Sequence, residues 1–363
     1  MTRAVNAVDF WRGFALVTIF INHIPGIVYE RFTHRNLSLS DSAELFVFLA
    51  GWSLRRLVRE PDDPAPNSQL LLRLFGRAVT IYAAHLMIVM IAIAMLATSA
   101  RVLDNPLLLE WHNAAAVFQN PADTHIGLVL LTHQLGYFDI LPLYVVLMLV
   151  APLIAVLHRQ APSIVLPLSI AIYLTAIVLR LTLQTWPVPG QWFFNPLCWQ
   201  LVFVLGFIGA GDGERSVGGF VRANIHPMRL ASAVIVVAGA LMVWFSWLPD
   251  PTKVPSPKLL FIAEKSFVTP LRLFHVLALV ILFSALFPLI AERLPRLVAG
   301  LSLLGRHSLY VFCTGSLLSL SGQILRFWLR GGLVLDTILV VGGITVMAIV
   351  AWLAELRKSG RPS

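Results

Sequence analysis

The chain has 363 residues, of which 58% are hydrophobic and 12% charged, with a mean hydropathy of +0.81. A soluble domain carries about 25% charged residues, so these proportions exclude an ordinary soluble enzyme and indicate an integral membrane protein. Basic loops facing anionic lipid account for the net charge of +9, which gives no reason to expect a nucleic-acid partner.

The first apolar stretch, Asp9 to His23, reads DFWRGFALVTIFINH. It is apolar enough to enter a bilayer yet carries an Asp, an Arg, an Asn and a His. Ionisable groups at membrane depth are costly and face a bundle interior or a water-filled cavity. Arg12 and His23 are eleven residues apart. Eleven steps of about 100° return to nearly the same helical face, roughly 16 Å further along. Asp9 lies within i,i+3 reach of Arg12. Such a helix presents a cation near its start and an imidazole near its end. A membrane His is also commonly an interhelical hydrogen-bonder.

Further along, apolar segments near the ~20 residues needed to cross a bilayer fall at about 10–28, 42–58, 75–98, 136–157, 163–184, 194–211, 229–248, 270–290, 308–328 and 333–356. The expected fold is therefore all-α: a polytopic membrane helical bundle of about ten transmembrane helices, in a single integral-membrane domain over 1–363. No internal repeat is present. The stretch 59–70 is a polar, Pro-rich linker, and 101–135 is a long connection carrying His112, His125 and His133. The stretch 211–228 is rich in Gly and Arg, 249–269 carries Lys253, Lys258 and Lys265, and 291–305 reads as a short interfacial helix. Cys198 and Cys313 fit no disulfide framework and no metal spacing. No small-residue cleavage site follows the first segment, so no removable signal peptide is expected.

With the N-terminus inside, 17 Lys and Arg fall on the cytoplasmic side and 10 outside. The positive-inside rule then places both termini in the cytoplasm. This orientation sorts the polar residues into two layers. The outer layer holds His23 with Asp41 and Glu44 at the start of the second helix. Those carboxylates read either as a helix capping box or as groups that orient the imidazole. The same layer holds Arg272 and His275, three residues apart, and Asn195, Trp199 and Gln200 behind Trp192. These suit an aromatic belt or a sugar-binding surface. The inner layer holds Arg12, Arg55, Arg56, Arg73, Arg77 and Arg306. They read as topology signals or as an anion site, with Arg306 just ahead of a helix N-terminus. His85, eight residues beyond Arg77, fits packing or cavity lining.

These residues also carry a resemblance. Arg12, ten residues, then His23 resembles the R-X10-H signature of the membrane acyltransferase 3 superfamily. The run Ser40-Asp41-Ser42-Ala43-Glu44-Leu45-Phe46-Val47-Phe48-Leu49-Ala50-Gly51 is similar to the second-helix motif of its OpgC branch, which succinylates osmoregulated periplasmic glucans. So are Phe138-Asp139-Ile140-Leu141-Pro142-Leu143-Tyr144, Phe194-Asn195-Pro196 with Trp199-Gln200, and Gly305-Arg306-His307-Ser308-Leu309. Ala50 departs from the family pattern, which more often has Ser before the Gly.

The resemblance implies a bacterial inner-membrane enzyme. It takes an acyl group from cytoplasmic acyl-CoA, succinyl-CoA or acetyl-CoA, to a hydroxyl of an extracytoplasmic glycan. It needs no metal and no tightly bound cofactor. In that reading the inner arginines Arg12, Arg73, Arg77 and Arg306 meet the CoA phosphates. His23 is the general base, and Asp41 or Glu44 holds its tautomer. Arg272, His275, Asn195, Trp199 and Gln200 bind the sugar or the oxyanion. Intramembrane Arg, His and acidic groups also suit a secondary transporter or flippase, although the missing inverted repeat and the R-X10-H spacing count against it.

Overall fold

The computed structural model describes residues 5–58, 67–213 and 216–359. Most of the Pro-rich linker and Arg3 lie outside them. Among the described residues the fold is a helical bundle with a single two-stranded ribbon. In chain order it runs α1 (Ala7–Asn22), α2 (Ser42–Leu57), α3 (Asn67–Val102), α4 (Ala115–Gln119), α5 (Pro121–Val129), α6 (Ile140–Gln160) and α7 (Pro162–Leu179). The ribbon β1 (Gln184–Thr185) and β2 (Gly190–Gln191) follows, then α8 (Pro196–Gly209), α9 (Val217–Ala223), α10 (Ile225–Trp244), α11 (Pro270–Phe283) and α12 (Leu286–Arg293). The last three helices are α13 (Pro295–Arg306), α14 (Ser308–Leu329) and α15 (Leu333–Ser359).

Each of the ten predicted segments contains a helix, but ten crossings are not what helix length supports. Among the described residues six helices, α3, α6, α7, α10, α14 and α15, are long and apolar enough to cross a membrane. The pair α11–α12, bent by 46°, makes a seventh if counted as one span. The helices α1, α2 and α8 have only 16, 16 and 14 residues. At about 1.5 Å per residue they reach some 21–24 Å, short of the ~30 Å hydrocarbon core. These short helices are interior ones. The long helices α10 and α15 bury only 11% and 22% of their apolar windows inside the protein, which leaves their remaining apolar surface to lipid.

Two close crossings set the interior. The helices α1 and α13 meet where Gly13 lies on the Leu301 carbonyl and Gly305 on the Asp9 carbonyl. The helices α2 and α8 meet in the same reciprocal way, Gly51 on the Phe203 carbonyl and Gly206 on the Phe48 carbonyl. A Cβ at any of the four would collide with backbone oxygen. Small residues allow this close approach in membrane bundles. The helix expected to be interfacial is thus α13, which buries Val298, Ser302, Leu304 and Gly305 against its neighbours. The loop after α1 is tied to α15, because Val28 N–H donates to Asp336 (2.8 Å) and Tyr29 hydrogen-bonds Thr337 (2.8 Å). The 101–135 connection is itself structured. It carries a 3₁₀ segment at Pro106–Asn113 and the helices α4 and α5.

Candidate functional site

The site begins where α1 ends. His23 is the residue after the last helical one, and its N–H still bonds the Ile19 carbonyl at 3.0 Å. The chain turns there, so the ring leaves the helix end for a cavity of about 860 Å³. His23, Asp41 and Arg272 all line that cavity, as the two-layer reading expects. Residues that the sequence did not single out as a site join them: Arg35, Tyr137, Asp139, Gln191 and Lys265.

The His23 ring is held by shape and by its backbone. Tyr137 packs on it with ring centroids 4.7 Å apart, and His112 packs on Tyr137 at 5.1 Å. His112 Nε2 pairs with Gln323 Oε1 at 2.7 Å, and Gln323 Nε2 donates to the His23 carbonyl at 2.6 Å. Three residues of this support have left-handed backbones: His112 at φ 57°, Asn113 at 66° and Tyr137 at 68°. Such conformations persist in residues other than glycine only where their surroundings enforce them, and they cluster at functional sites. The Gly136 N–H to the His112 carbonyl bond, 3.0 Å, locks the two strained turns together. The Nδ1 of His23 is buried and has no hydrogen-bond partner among the described residues.

That last fact corrects one expectation. Neither Asp41 nor Glu44 is hydrogen-bonded to His23 among the described residues. They form the capping box of α2: Asp41 accepts from Ala43 N–H at 2.8 Å, and Glu44 accepts from Asp41 N–H at 3.0 Å. Their remaining oxygens face cations. Lys265 donates to Asp41 at 2.6 Å, and Arg272 holds Glu44 through Nε at 2.8 Å and through a second, shorter bond. Burial opposes ionisation of Asp41, but Lys265 and Arg272 outweigh it and keep the carboxyl well below its usual range. Asp139, immediately before α6, has no such ion pair among the described residues, and burial pushes its carboxyl up to about 7. The cavity wall is therefore a charge network around the imidazole rather than a carboxylate–imidazole dyad.

Four residues expected to bind the acceptor do not line the cavity. His275 is fully buried against Gly239, its Nδ1 on Ser40 at 3.0 Å, where it holds the loop entering α2. Asn195 caps α8 through Leu197 N–H (3.1 Å) and donates to the Leu181 carbonyl (2.7 Å). The Trp199 indole donates to the Ser266 carbonyl at 3.1 Å, and Gln200 pairs with Ser169. Their polar groups position the stretches carrying Trp192, Phe193, Phe194 and Lys265, which do line it.

A second cavity, of about 440 Å³, lies at the other end of the bundle. Its wall holds Arg77, Arg306, His307, Ser53, Thr80 and Tyr144. Arg12 stands behind that wall. It donates to Ser53 at 2.5 Å and to the Leu49 carbonyl at 3.1 Å, with Asp9 at 3.9 Å. Its part in the site is to fix Ser53 and α2 against α1. Arg73 is exposed and off the cavity. Arg306 and His307 pair with Glu355 of α15, at 3.2 and 2.6 Å, a partner that no local motif announces. Among the described residues no group of three or more His, Cys, Asp or Glu could hold a metal ion.

The arrangement thus has a basic cavity at one end and, at the other, a polar cavity carrying a supported imidazole. A family model described as "OpgC protein" matches residues 3–359. No curated protein and no solved structure matches the chain.

Proposed function

The chain belongs to the OpgC family, and from that premise we propose that it is a membrane O-acyltransferase of the acyltransferase 3 type. It moves an acyl group, succinyl foremost, from acyl-CoA on the cytoplasmic side to a hydroxyl of a periplasmic glucan or similar glycan. The observation that carries this reading is the pair of cavities. One is basic, with Arg77 and Arg306 suited to phosphate oxygens. The other contains His23 among polar and charged groups suited to a sugar.

In this reaction the acceptor hydroxyl enters beside His23. The imidazole takes its proton as the oxygen attacks the thioester carbonyl. The tetrahedral oxyanion forms in the field of Lys265 and Arg35, two cations on the same wall. Collapse breaks the carbon–sulfur bond, and the proton on the imidazole passes to the departing thiolate. The products are an ester and free CoA. Burial, and after it the Lys265 charge, hold the His23 imidazole well below its ordinary value, so the ring rests neutral with a nitrogen lone pair free to take the hydroxyl proton. The polar side chains of Asp41, Glu44 and Arg272 hold the wall rather than move protons. No covalent cysteine intermediate is part of the scheme, because Cys198 and Cys313 are both buried and line neither cavity.

The test is turnover of acyl-CoA by purified protein, read as free CoA thiol, with mass spectrometry of envelope glycans from cells with and without the gene. His23→Ala is expected to lose about 10²- to 10⁴-fold of the turnover and to keep its fold, since a neutral ring leaves no uncompensated charge behind. Full activity in His23→Ala removes the base assignment. Absence of any turnover in the unaltered protein returns the transporter reading.

A further inference from the structure

The two cavities are not independent. The Phe312 side chain, on α14, lines both of them and also a narrow seam beside His23. The seam is walled by Phe20, His23, Gly315 and Ser316, and it has no room for a water molecule. Phe312 is stacked with Phe46 at 6.4 Å between centroids, and Phe46 abuts Tyr144 at 5.4 Å. The helix α14 therefore runs from the inner cavity at Ser308, past the aromatic plug at Phe312, to the seam at Ser316, and on to Gln323 under His23.

Two buried hydroxyls stand along this line without partners. Tyr144 Oη is on the inner cavity wall and Ser316 Oγ on the seam wall, and neither has a hydrogen bond among the described residues. The two residues are only 8% and 5% exposed. Buried hydroxyls are normally satisfied, and each one that is not calls for an explanation. His23 Nδ1, on the same seam, is a third such atom. A row of unsatisfied polar atoms beside an aromatic plug is what a thin, amide-bearing chain would complete.

We infer that the seam at Phe312 is the passage for the pantetheine arm of the donor: the Phe312 ring gates it, and Tyr144 and Ser316 hydrogen-bond the arm's amides. The proposal rests on the acyl-transfer reading above and adds residues to it. In the closed form seen here the thioester cannot reach His23. Rotation of the Phe312 ring off Phe46 joins the two cavities. The same ring then limits the width of the acyl head that passes, which makes Phe312 a specificity-determining residue.

The experiment uses the full chain in nanodiscs with acetyl-, succinyl-, hexanoyl- and benzoyl-CoA. Free CoA is the readout, with a neutral β-linked glucan oligosaccharide and water as acceptors. Phe312→Ala is expected to raise hexanoyl and benzoyl turnover at least about tenfold relative to succinyl, in the range that pocket-size changes produce. Phe312→Leu makes the same comparison if the Ala variant does not fold. Phe312→Trp is expected to lose at least about tenfold of the turnover while still binding CoA in a calorimetric titration. Tyr144→Phe and Ser316→Ala are each expected to raise the donor KM about two- to tenfold with kcat little changed, the effect of one neutral hydrogen bond. An active unaltered protein whose acyl preference is the same in the Ala, Leu and Trp variants overturns the gate alone. An unaltered protein that releases no CoA from any donor overturns the acyl-transfer reading and the gate with it.

Discussion

At the scale of single residues, the cavity around His23 is kept polar by charges that cancel in pairs. Lys265 and Asp41, with side chains 27% and 14% exposed, are a more exposed pair than Arg272 and Glu44, at 12% and 0%. Lys265→Met leaves Asp41 facing Arg272 at 3.8 Å. The expected cost is about 1–3 kcal/mol, between an exposed pair and a fully buried one, read from thermal unfolding in detergent. The pH dependence has a definite sign. The Asp41 carboxyl is held below its ordinary value, so its stabilisation is fully present above the unfolded pKa of about 3.9 and is lost as pH falls toward the folded value. The unaltered protein should lose stability on acidification below about pH 5, and Lys265→Met should flatten that loss. An unchanged acid limb in the variant would show that Lys265 contributes nothing to Asp41. Arg12, His23, Asp41, Arg77, Arg272 and Arg306 are legible in the sequence because each is an ionisable group in an apolar stretch or at a helix start. Lys265 and Arg35 are not, since they stand in loops where a cation counts first as a topology signal. His275, Asn195, Trp199 and Gln200 mislead for the opposite reason. A polar residue on a membrane helix can satisfy a neighbouring backbone as readily as a ligand, and spacing does not tell the two apart.

Among the elements, the short interior helices carry the site, and the long helices around them are what hydropathy detects best. The α1 helix is short because the chain must turn at His23 to aim the ring into the cavity. The α2 helix starts at Ser42, where the 42–58 segment places it, because the Asp41–Glu44 capping box fixes its first turn. The cap is legible in the sequence at Asp41 and Glu44, whereas the turn at His23 is absorbed into the apolar window 10–28. The crossings were not legible at all, because a glycine in an apolar run does not say which backbone it meets. Gly51 gives the test. Its place on the Phe203 carbonyl leaves no space for a methyl group, so Gly51→Ala must part α2 from α8. Overpacking in a fixed core costs about 1–3 kcal/mol, and a clash with backbone more than one with side chain. Gly300, which has nothing near its missing Cβ, is the control: Gly300→Ala should be neutral or slightly stabilising, as alanine is in a helix. Equal melting temperatures for the two variants would mean that the α2–α8 contact yields without cost.

Taken as a whole molecule, the proposed acyl transfer requires the two cavities to open to opposite sides of the membrane. Arg77, Arg306 and His307 mark one end, and Arg35, Lys265 and the turn after α1 mark the other. The helix order ties these ends to the termini. Residues near the start of α1 and the end of α15 share the end of Arg306, because Arg12 holds Ser53 on that cavity's wall and Glu355 binds Arg306 and His307. The 3₁₀ segment at Pro106–Asn113 lies at the other end, since His112 reaches Gln323 under His23. On the proposed reading, the excess of Lys and Arg beside the termini would put the Arg306 end in the cytoplasm. The assignment is open to a direct measurement. Glu110 and Arg357 are both exposed, and the native Cys198 and Cys313 are buried, so a single new thiol at either position reports its own side. Glu110→Cys should react with a membrane-impermeant maleimide in spheroplasts. Arg357→Cys should react only after the membrane is permeabilised or the vesicles are inverted. The reverse pattern would turn the molecule over. The basic cavity would then face the periplasm, where no acyl-CoA is supplied, and the polar cavity would face the cytoplasm. The donor and acceptor assignments would fail together, even with every residue of the site in its place.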